Sequence, residues 1–292
     1  MLKWFDLEEA SELRANKGQP AEHWTPSPAL EAVRAAIKAL LGGAFHNPYF
    51  NRDHRFVVEP VAGGAPLQVS QLSQGYQSML ALGMDFARRL AVANPHMQWN
   101  SDPLYEAMAE VGADDALPAT PTVASEVLAL CAPAVMLVDE IDLHLHPSWQ
   151  QRVIGDLMRT FPLTQFIVTT HSPQVLSTVA AASIRVLTQD RAHARIRVTQ
   201  PAQQTQGLAS ADVLAEVMGT DPIPDIPVAR ELQRYQALIQ QNLHTSADGE
   251  SLRQVLETHF GIDHPTMHEC HRMIRLQAFK QKLPLSLGKK PV

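Results

Sequence analysis

Residues 1 to about 45 carry apolar positions at helical spacing, with Leu30, Val33, Ile37 and Leu41 on one face, and Gly42-Gly43 ends that stretch. Arg55-Phe-Val-Val58 and Leu67-Gln-Val69 read as short strands separated by a turn-rich Pro60 to Pro66. Met79, Leu82, Phe86 and Leu90 then mark a helix from Ser78 to Ala93, stopped by Asn94-Pro95. Residues 96–125, with Trp99, Asp114-Asp115 and Pro118 to Pro121, follow no period and read as a partly helical excursion. Ala134-Val-Met-Leu-Val138 is a continuous apolar run of strand length, the kind expected of a strand buried on both faces of a parallel sheet. Pro147 opens a helix with Trp149, Val153, Leu157 and Phe161 at helical spacing, and Gln165 to Thr170 is a second buried strand. Strand, helix and strand together make a parallel βαβ unit.

Ser183 to Leu187 and Arg195 to Thr199 can pair as a hairpin closing this domain, and the polar stretch Gln200 to Gln206 marks its end. The reading therefore divides the chain into an α/β domain over 1–200 and a mainly helical domain over 207–292. In the second domain Ser210 caps a helix ending at Gly219, and Pro222, Pro224 and Pro227 stiffen a connector. Helices near 228–243, 250–260 and 265–282 follow.

Composition narrows the function classes. With 45% hydrophobic and 18% charged residues, the 292-residue chain can bury a real core. A net charge of −6 limits any nucleic-acid contact to a local patch. Two cysteines, Cys131 and Cys270, are too few for a disulfide framework and fit a reducing compartment. The start of the chain lacks a signal-peptide layout, and no apolar run reaches the ~18 residues of a membrane span, so a cytoplasmic protein without a membrane partner is expected.

The chemistry gathers around strand ends. Asp139 and Glu140 follow the 134–138 run directly, at the edge of a parallel sheet where ligands bind in open α/β folds. A carboxylate there suits a Mg²⁺ ion that keeps its waters and bridges phosphate oxygens, and an adjacent one can polarise an attacking water. His171 follows the next strand, in Thr169-Thr-His-Ser-Pro173; if the two strands are neighbours, its imidazole lies close to those carboxylates. Leu72-Ser-Gln-Gly-Tyr-Gln77 stands just before an amphipathic helix, where a hydroxyl, a glycine and free N–H groups offer donors to an anion. Taken singly, each has a plainer reading: a capped turn, a solvated loop histidine, a serine-capped helix start.

As a set these segments resemble one family. Leu72 to Gln77 is similar to the signature motif of ABC-type ATPases, and Val135 to Glu140 to Walker B. Ile141-Asp-Leu-His-Leu-His-Pro147 resembles the D-loop, and Thr170-His-Ser-Pro173 the switch histidine, of the SMC/RecF/OLD-like branch. Order and spacing agree over residues 55 to 190. The resemblance implies a partial P-loop NTPase, an α/β parallel-sheet domain with helical insertions followed by a mainly helical C-terminal domain. It implies ATP and Mg²⁺ as ligands, and a dimer that sandwiches ATP between the P-loop of one subunit and the signature of the other. By the same resemblance Ser73 and Gly75 meet the γ-phosphate of the partner's nucleotide, with Gln77 supporting that loop. Asp139 holds Mg²⁺ through water, Glu140 is the base, Asp142 communicates across the dimer, and His171 senses the γ-phosphate. Within the family the Ser-Gln-Gly-Tyr-Gln-Ser-Met-Leu run is similar to ATPases of bacterial anti-phage defence, the Septu and retron-associated type, which implies a nuclease partner.

A P-loop, Gly-x-x-x-x-Gly-Lys-Ser/Thr, does not occur in these 292 residues; Gly288-Lys-Lys290 lacks the first glycine and the hydroxyl. In the family that loop precedes the signature, so the expectation is a truncated, split or degenerate head whose P-loop comes from a missing lobe or a partner. Without that lobe the sheet loses strands and needs a cover. Three rivals stand beside this reading. Asp139, Glu140 and Asp142 could bind two cations in a Toprim-like nuclease site. His264, His268 and His271, with Cys270 and His259 nearby, could hold zinc. The chain could also be a catalytically silent interaction subunit, its basic end from Arg272 and Arg275 through Lys280 to Lys290 meeting nucleic acid.

Overall fold

A computed structural model of the chain describes residues 1–41, 43–95, 97, 128–190 and 195–282. The excursion expected over 96–125 lies, Met97 aside, outside them. The chain divides into two compact units, Met1–Gly219 and Thr220–Val292.

The first unit begins with α1 (Leu2–Ala15) and α2 (Pro28–Leu40). Ser27 starts α2 by accepting from the Leu30 N–H, and Pro28 occupies the first turn, where its missing donor is not needed. Leu30, Val33, Ile37 and Leu40 are fully buried, as their spacing requires. Glu12 ties the two helices together: its buried carboxylate accepts from the Ser27 N–H at 2.7 Å and pairs with Arg34 at 2.9 Å.

A small antiparallel sheet follows in the order β1 (Phe45–Phe50), β2 (Phe56–Pro60), β3 (Leu67–Gln68). β1 is a strand that the sequence pattern hides. Asn47-Pro48 interrupts its alternation, and its pairing with β2 shifts between His46 and Tyr49. A proline is tolerated there because β1 is an edge strand. α3 (Gln74–Ala93) begins four residues before the expected helix, with Ser73 at its N-cap. It lies along α2 so closely that a Cβ on Gly83 would stand 2.3 Å from Leu40 Cδ1. Phe86 of α3 meets Phe161 edge-on at 4.9 Å, which joins α3 to the βαβ unit.

In that unit β4 (Ala134–Val138) and β5 (Thr164–Val168) are parallel neighbours, in register from Ala134–Thr164 to Val138–Val168. The connecting helix is two pieces, α4 (Pro147–Gln150) and α5 (Val153–Thr160), because Arg152 leaves the helical region at φ −127°. Its guanidinium lies 4.1 Å from the Trp149 ring centroid and 3.2 Å from Asp156. Val153, Leu157 and Phe161 still reach the core.

Burial on both sheet faces does not hold. Ala134, Met136, Val138, Phe166 and Val168 pack on the core, whereas Val135 is 60%, Leu137 74% and Ile167 52% exposed. Alternate residues of a strand point to opposite faces, and among the described residues only one face is covered. β6 (Val186–Asp190) and β7 (Arg195–Thr199) form the expected antiparallel hairpin, on which Leu187, Ile196 and Val198 are also exposed.

The polar stretch near 200–206 does not separate the two units. Thr205 donates to Val179 O at 2.6 Å and Gly207 N–H to Ser177 O at 2.9 Å, which fastens this segment beside α6 (Pro173–Leu176). α7 (Ser210–Glu216) therefore belongs to the first unit, and the division falls after Gly219. In the second unit α8 (Pro227–Gln240), α9 (Ala247–Phe260) and α10 (Pro265–Lys282) bury Tyr235, Ile239, Leu252, Leu256, Met267 and Cys270 between them. Among the described residues no helix is long and apolar enough to cross a membrane.

The α2–α3 contact offers a test of how tightly the first unit is packed. Gly83→Val places branched carbon against Leu40, and a lower denaturation midpoint equivalent to about 1–3 kcal/mol is expected. Urea titration followed by circular dichroism measures it; an unchanged midpoint would show that Leu40 has room to move.

Candidate functional site

Parallel pairing of β4 and β5 brings their carboxyl ends side by side, and the loops leaving them form the site. Thr169 continues the ladder: its N–H donates to Val138 O at 3.0 Å, and its C=O accepts from Ile141 N–H at 3.0 Å. Its hydroxyl serves both carboxylate residues of the facing loop. Thr169 Oγ1 donates to Asp139 Oδ1 and accepts from the Glu140 N–H at 2.8 Å. Thr170 repeats the device one residue on, donating to Asp142 Oδ1 and accepting from the Ser172 N–H at 3.0 Å. The His171 N–H also points at Asp142 Oδ1, at 3.3 Å. Asp139, Glu140 and Asp142 are thus held opposite Thr169 to His171; the sequence placed Asp139, Glu140 and His171 at neighbouring strand ends, and the structure adds Asp142.

The loop between these points is bent by two residues in the left-handed region, Glu140 at φ 50° and His144 at φ 63°. Side chains with a Cβ pay about 1–2 kcal/mol for that conformation, so the surrounding bonds must hold it. They are Glu140 O to Leu143 N–H at 2.9 Å and Asp142 O to Leu145 N–H at 3.1 Å. Gln150 of α4 adds its side-chain amide to Leu145 O at 3.0 Å and accepts from the Ser172 hydroxyl at 2.7 Å. Ser172 in turn caps α6 through Gln174 N–H and Val175 N–H. Thr169, Thr170, Gln150 and Ser172 were not among the expected site residues. Paired hydroxyls at a strand end next to a histidine are the only trace they leave in the sequence.

The 72–77 segment meets the same loop from its other side. Ser73 is the N-cap residue of α3, yet its hydroxyl makes no capping hydrogen bond and the residue is exposed, so the plain reading of a serine-capped helix fails. Gln77 folds back to donate to Leu72 O at 2.7 Å, which closes the turn. Gly75 is buried: a Cβ there would lie 3.4 Å from His144 O and 3.6 Å from Leu145 Cδ2. Tyr76 meets Trp149 edge-on at 4.6 Å and Phe45 at 5.2 Å.

Asp139, Glu140 and His171 are exposed and Asp142 is half-buried, so the site is an open acidic rim. A hard cation that keeps most of its waters asks for one or two carboxylate oxygens. Asp139 fits: one oxygen is oriented by Thr169, and the other meets no donor among the described residues. Among the described residues no three His, Cys, Asp or Glu side chains converge to hold a metal. Neither the two-cation nuclease site nor the zinc cluster assembles. His264 instead accepts from the Thr266 N–H at 3.2 Å and stacks on Phe260, while Cys270 faces the helical core.

With the strand-end carboxylates, the loop and the 72–77 segment in one place, comparison with known proteins decides the family. Residues 29–177 match the family described as AAA domain, putative AbiEii toxin, Type IV TA system. The chain belongs to this AAA-domain family. The matched span runs from α2 to the end of α6 and contains every site residue described above. Among curated relatives of this AAA-domain chain, the retron Ec83 probable ATPase of Escherichia coli is 35% identical over 204 residues, covering 70% of this chain and 31% of that protein. The retron Vc95 probable ATPase of Vibrio cholerae serotype O1 biovar El Tor is 29% identical, covering 68% of this chain and 32% of that one. A Septu protein PtuA of Bacillus thuringiensis is 30% identical over 148 residues, covering 49% of this chain and 35% of its own length. The chain spans about a third of the length of these relatives.

The Thr169 bridge can be tested without nucleotide. Thr169→Val removes the acceptor for the Glu140 N–H at an exposed position, so global stability should change by no more than about 1 kcal/mol. Amide exchange at Glu140 should nevertheless rise by roughly tenfold while the β4–β5 amides keep their protection. Equal protection of Glu140 in both proteins would show that Thr169 does not hold the loop.

Proposed function

We propose that this chain is the signature-bearing part of an ATP-hydrolysing head that works through nucleotide-dependent dimerisation, with the P-loop contributed from outside these 292 residues. The observation that carries the proposal is the convergence of three segments far apart in sequence. Asp139-Glu140-Asp142 and Thr169-Thr-His171 are bonded across one sheet end, and Ser73-Gly75 packs on the loop between them. Membership of the AAA-domain family and relatives called probable ATPases support it.

In this reading a Mg²⁺ ion, when bound, would offset the charge of the phosphates. Asp139, its carboxylate fixed by Thr169, would hold that ion through water. Glu140 accepts a proton from the attacking water, which is the work of a general base. His171 offers a ring N–H to the γ-phosphate from the end of the neighbouring strand. Ser73, whose hydroxyl is not used in capping, and the N–H groups at the start of α3 face the nucleotide of the partner subunit. Asp142, already spanning to Thr170 and His171, carries the state of one site to the dimer contact. The retron and Septu relatives support a role in anti-phage defence, and the nuclease partner is carried only by the motif resemblance at Leu72 to Gln77. A second reading, a silent interaction subunit, is favoured by one observation, the lack of a P-loop motif in the sequence.

In an assembly that supplies a P-loop, Glu140→Gln should retain ATP and lower turnover by about 10²-fold or more. Ser73→Arg should bind ATP and fail to dimerise. Turnover unchanged in both variants would overturn the site assignment. Titration of the chain with Mg-ATP, alone and with the P-loop lobe added, separates the two readings: binding that needs the lobe fits the ATPase, and no binding in either case fits the silent subunit.

A further inference from the structure

Two contacts join the 72–77 segment to the loop that carries Glu140 and Asp142, and neither is required by the chemistry assigned to either segment. The first is the seat of Gly75 on His144. A Cβ at Gly75 would lie 3.4 Å from His144 O and 3.8 Å from Leu145 Cα, so a methyl fills the gap and a branched side chain displaces the loop. His144, which presents that carbonyl, is in the left-handed region at φ +63°. The second is the edge-on pair of Tyr76 and Trp149, with centroids 4.6 Å apart and planes at 77°. Trp149 lies in α4, the short helix that ends the loop, and the Arg152 guanidinium stands 4.1 Å from its ring centroid. Phe45 closes the row on Tyr76 at 5.2 Å, so the pair cannot slide apart without disturbing β1.

The geometry points to Tyr76, His144 and Trp149 as positioning residues that make the 72–77 segment and the 140–146 loop move as one piece within a single chain. The inference rests on the ATPase reading for its consequence. There Ser73 faces the partner's nucleotide while Asp139 and Glu140 face the chain's own, so this joint links the two nucleotide sites of a dimer. Engagement of Ser73 then shifts Glu140 through Gly75 on His144 and Tyr76 on Trp149. None of the three touches the reacting atoms, and their effect is on how Glu140 is placed.

The joint can be tested on the chain as it stands. In Tyr76→Ala, amide exchange at Leu143 and Leu145, whose N–H groups close the loop turns, should quicken by about three- to tenfold, the range an edge-on aromatic pair accounts for. Tyr76→Phe, which keeps the ring, should hold the wild-type rate. The β4–β5 amides should be unchanged in both, which separates loosening of the loop from unfolding. Gly75→Val gives a second perturbation from the other contact and should quicken the same two amides. Wild-type exchange at Leu143 and Leu145 in both Tyr76→Ala and Gly75→Val would overturn the joint. In an assembly with a P-loop, Tyr76→Ala should lower kcat several-fold at nearly constant KM for ATP, with Tyr76→Phe restoring it. Unaltered kcat beside quickened exchange would also overturn it. Failure of Glu140→Gln to retain ATP would instead sink the ATPase reading and leave the exchange result standing.

Discussion

Two threonine hydroxyls at the end of β5 fix nearly everything about the acidic loop opposite them. Thr169 and Thr170 each bond a carboxylate of the 139–142 segment and a backbone N–H, so each threonine spans two chain segments with one oxygen. The arrangement depends on parallel register: only with Val138 beside Val168 do Asp139 and Thr169 leave the sheet at the same level. It also explains how Glu140 and His144 tolerate left-handed backbone without glycine. The loop is held at both ends, by β5 through Thr169 and by α4 through Gln150.

From this fixed loop the rest of the first unit can be understood as scaffolding of decreasing urgency. α3 must bring Ser73 to the loop with an unencumbered hydroxyl, and Gly75 permits the approach. α3 is in turn braced along α2 by the Gly83–Leu40 contact and against α5 by Phe86 on Phe161. α1 stiffens α2 through the Glu12–Arg34 pair. The two contacts of α3 join buried groups, the kind that transmit displacement rather than absorbing it.

Among the described residues the sheet carrying the site is covered on one side only. Val135, Leu137 and Ile167 present an apolar stripe, and Leu187, Ile196 and Val198 present another on the hairpin. Exposed apolar surface of this kind marks a place where further protein packs.

The sequence by itself determined most of the helices, the parallel pair, the hairpin, and the identity of Asp139, Glu140 and His171 as strand-end groups, while Asp142 entered through the motif resemblance. Those features are written in local periods and in residues adjacent to apolar runs, which need no knowledge of distant neighbours. It also supplied the motif resemblance that the AAA-domain family match bears out at the level of family. What only tertiary structure decided are contacts between segments far apart in the chain. The pairing of Thr169 with Asp139, the seat of Gly75 on His144, and the edge-on meeting of Tyr76 with Trp149 leave no period to read. β1 was hidden for a related reason, since Asn47-Pro48 breaks its alternation and only pairing with β2 makes it a strand. The apolar run at 134–138 could not reveal that one of its faces has no cover among the described residues. Alternation is lost when every residue is apolar, so burial of such a strand is settled by what packs on each side and not by its own sequence.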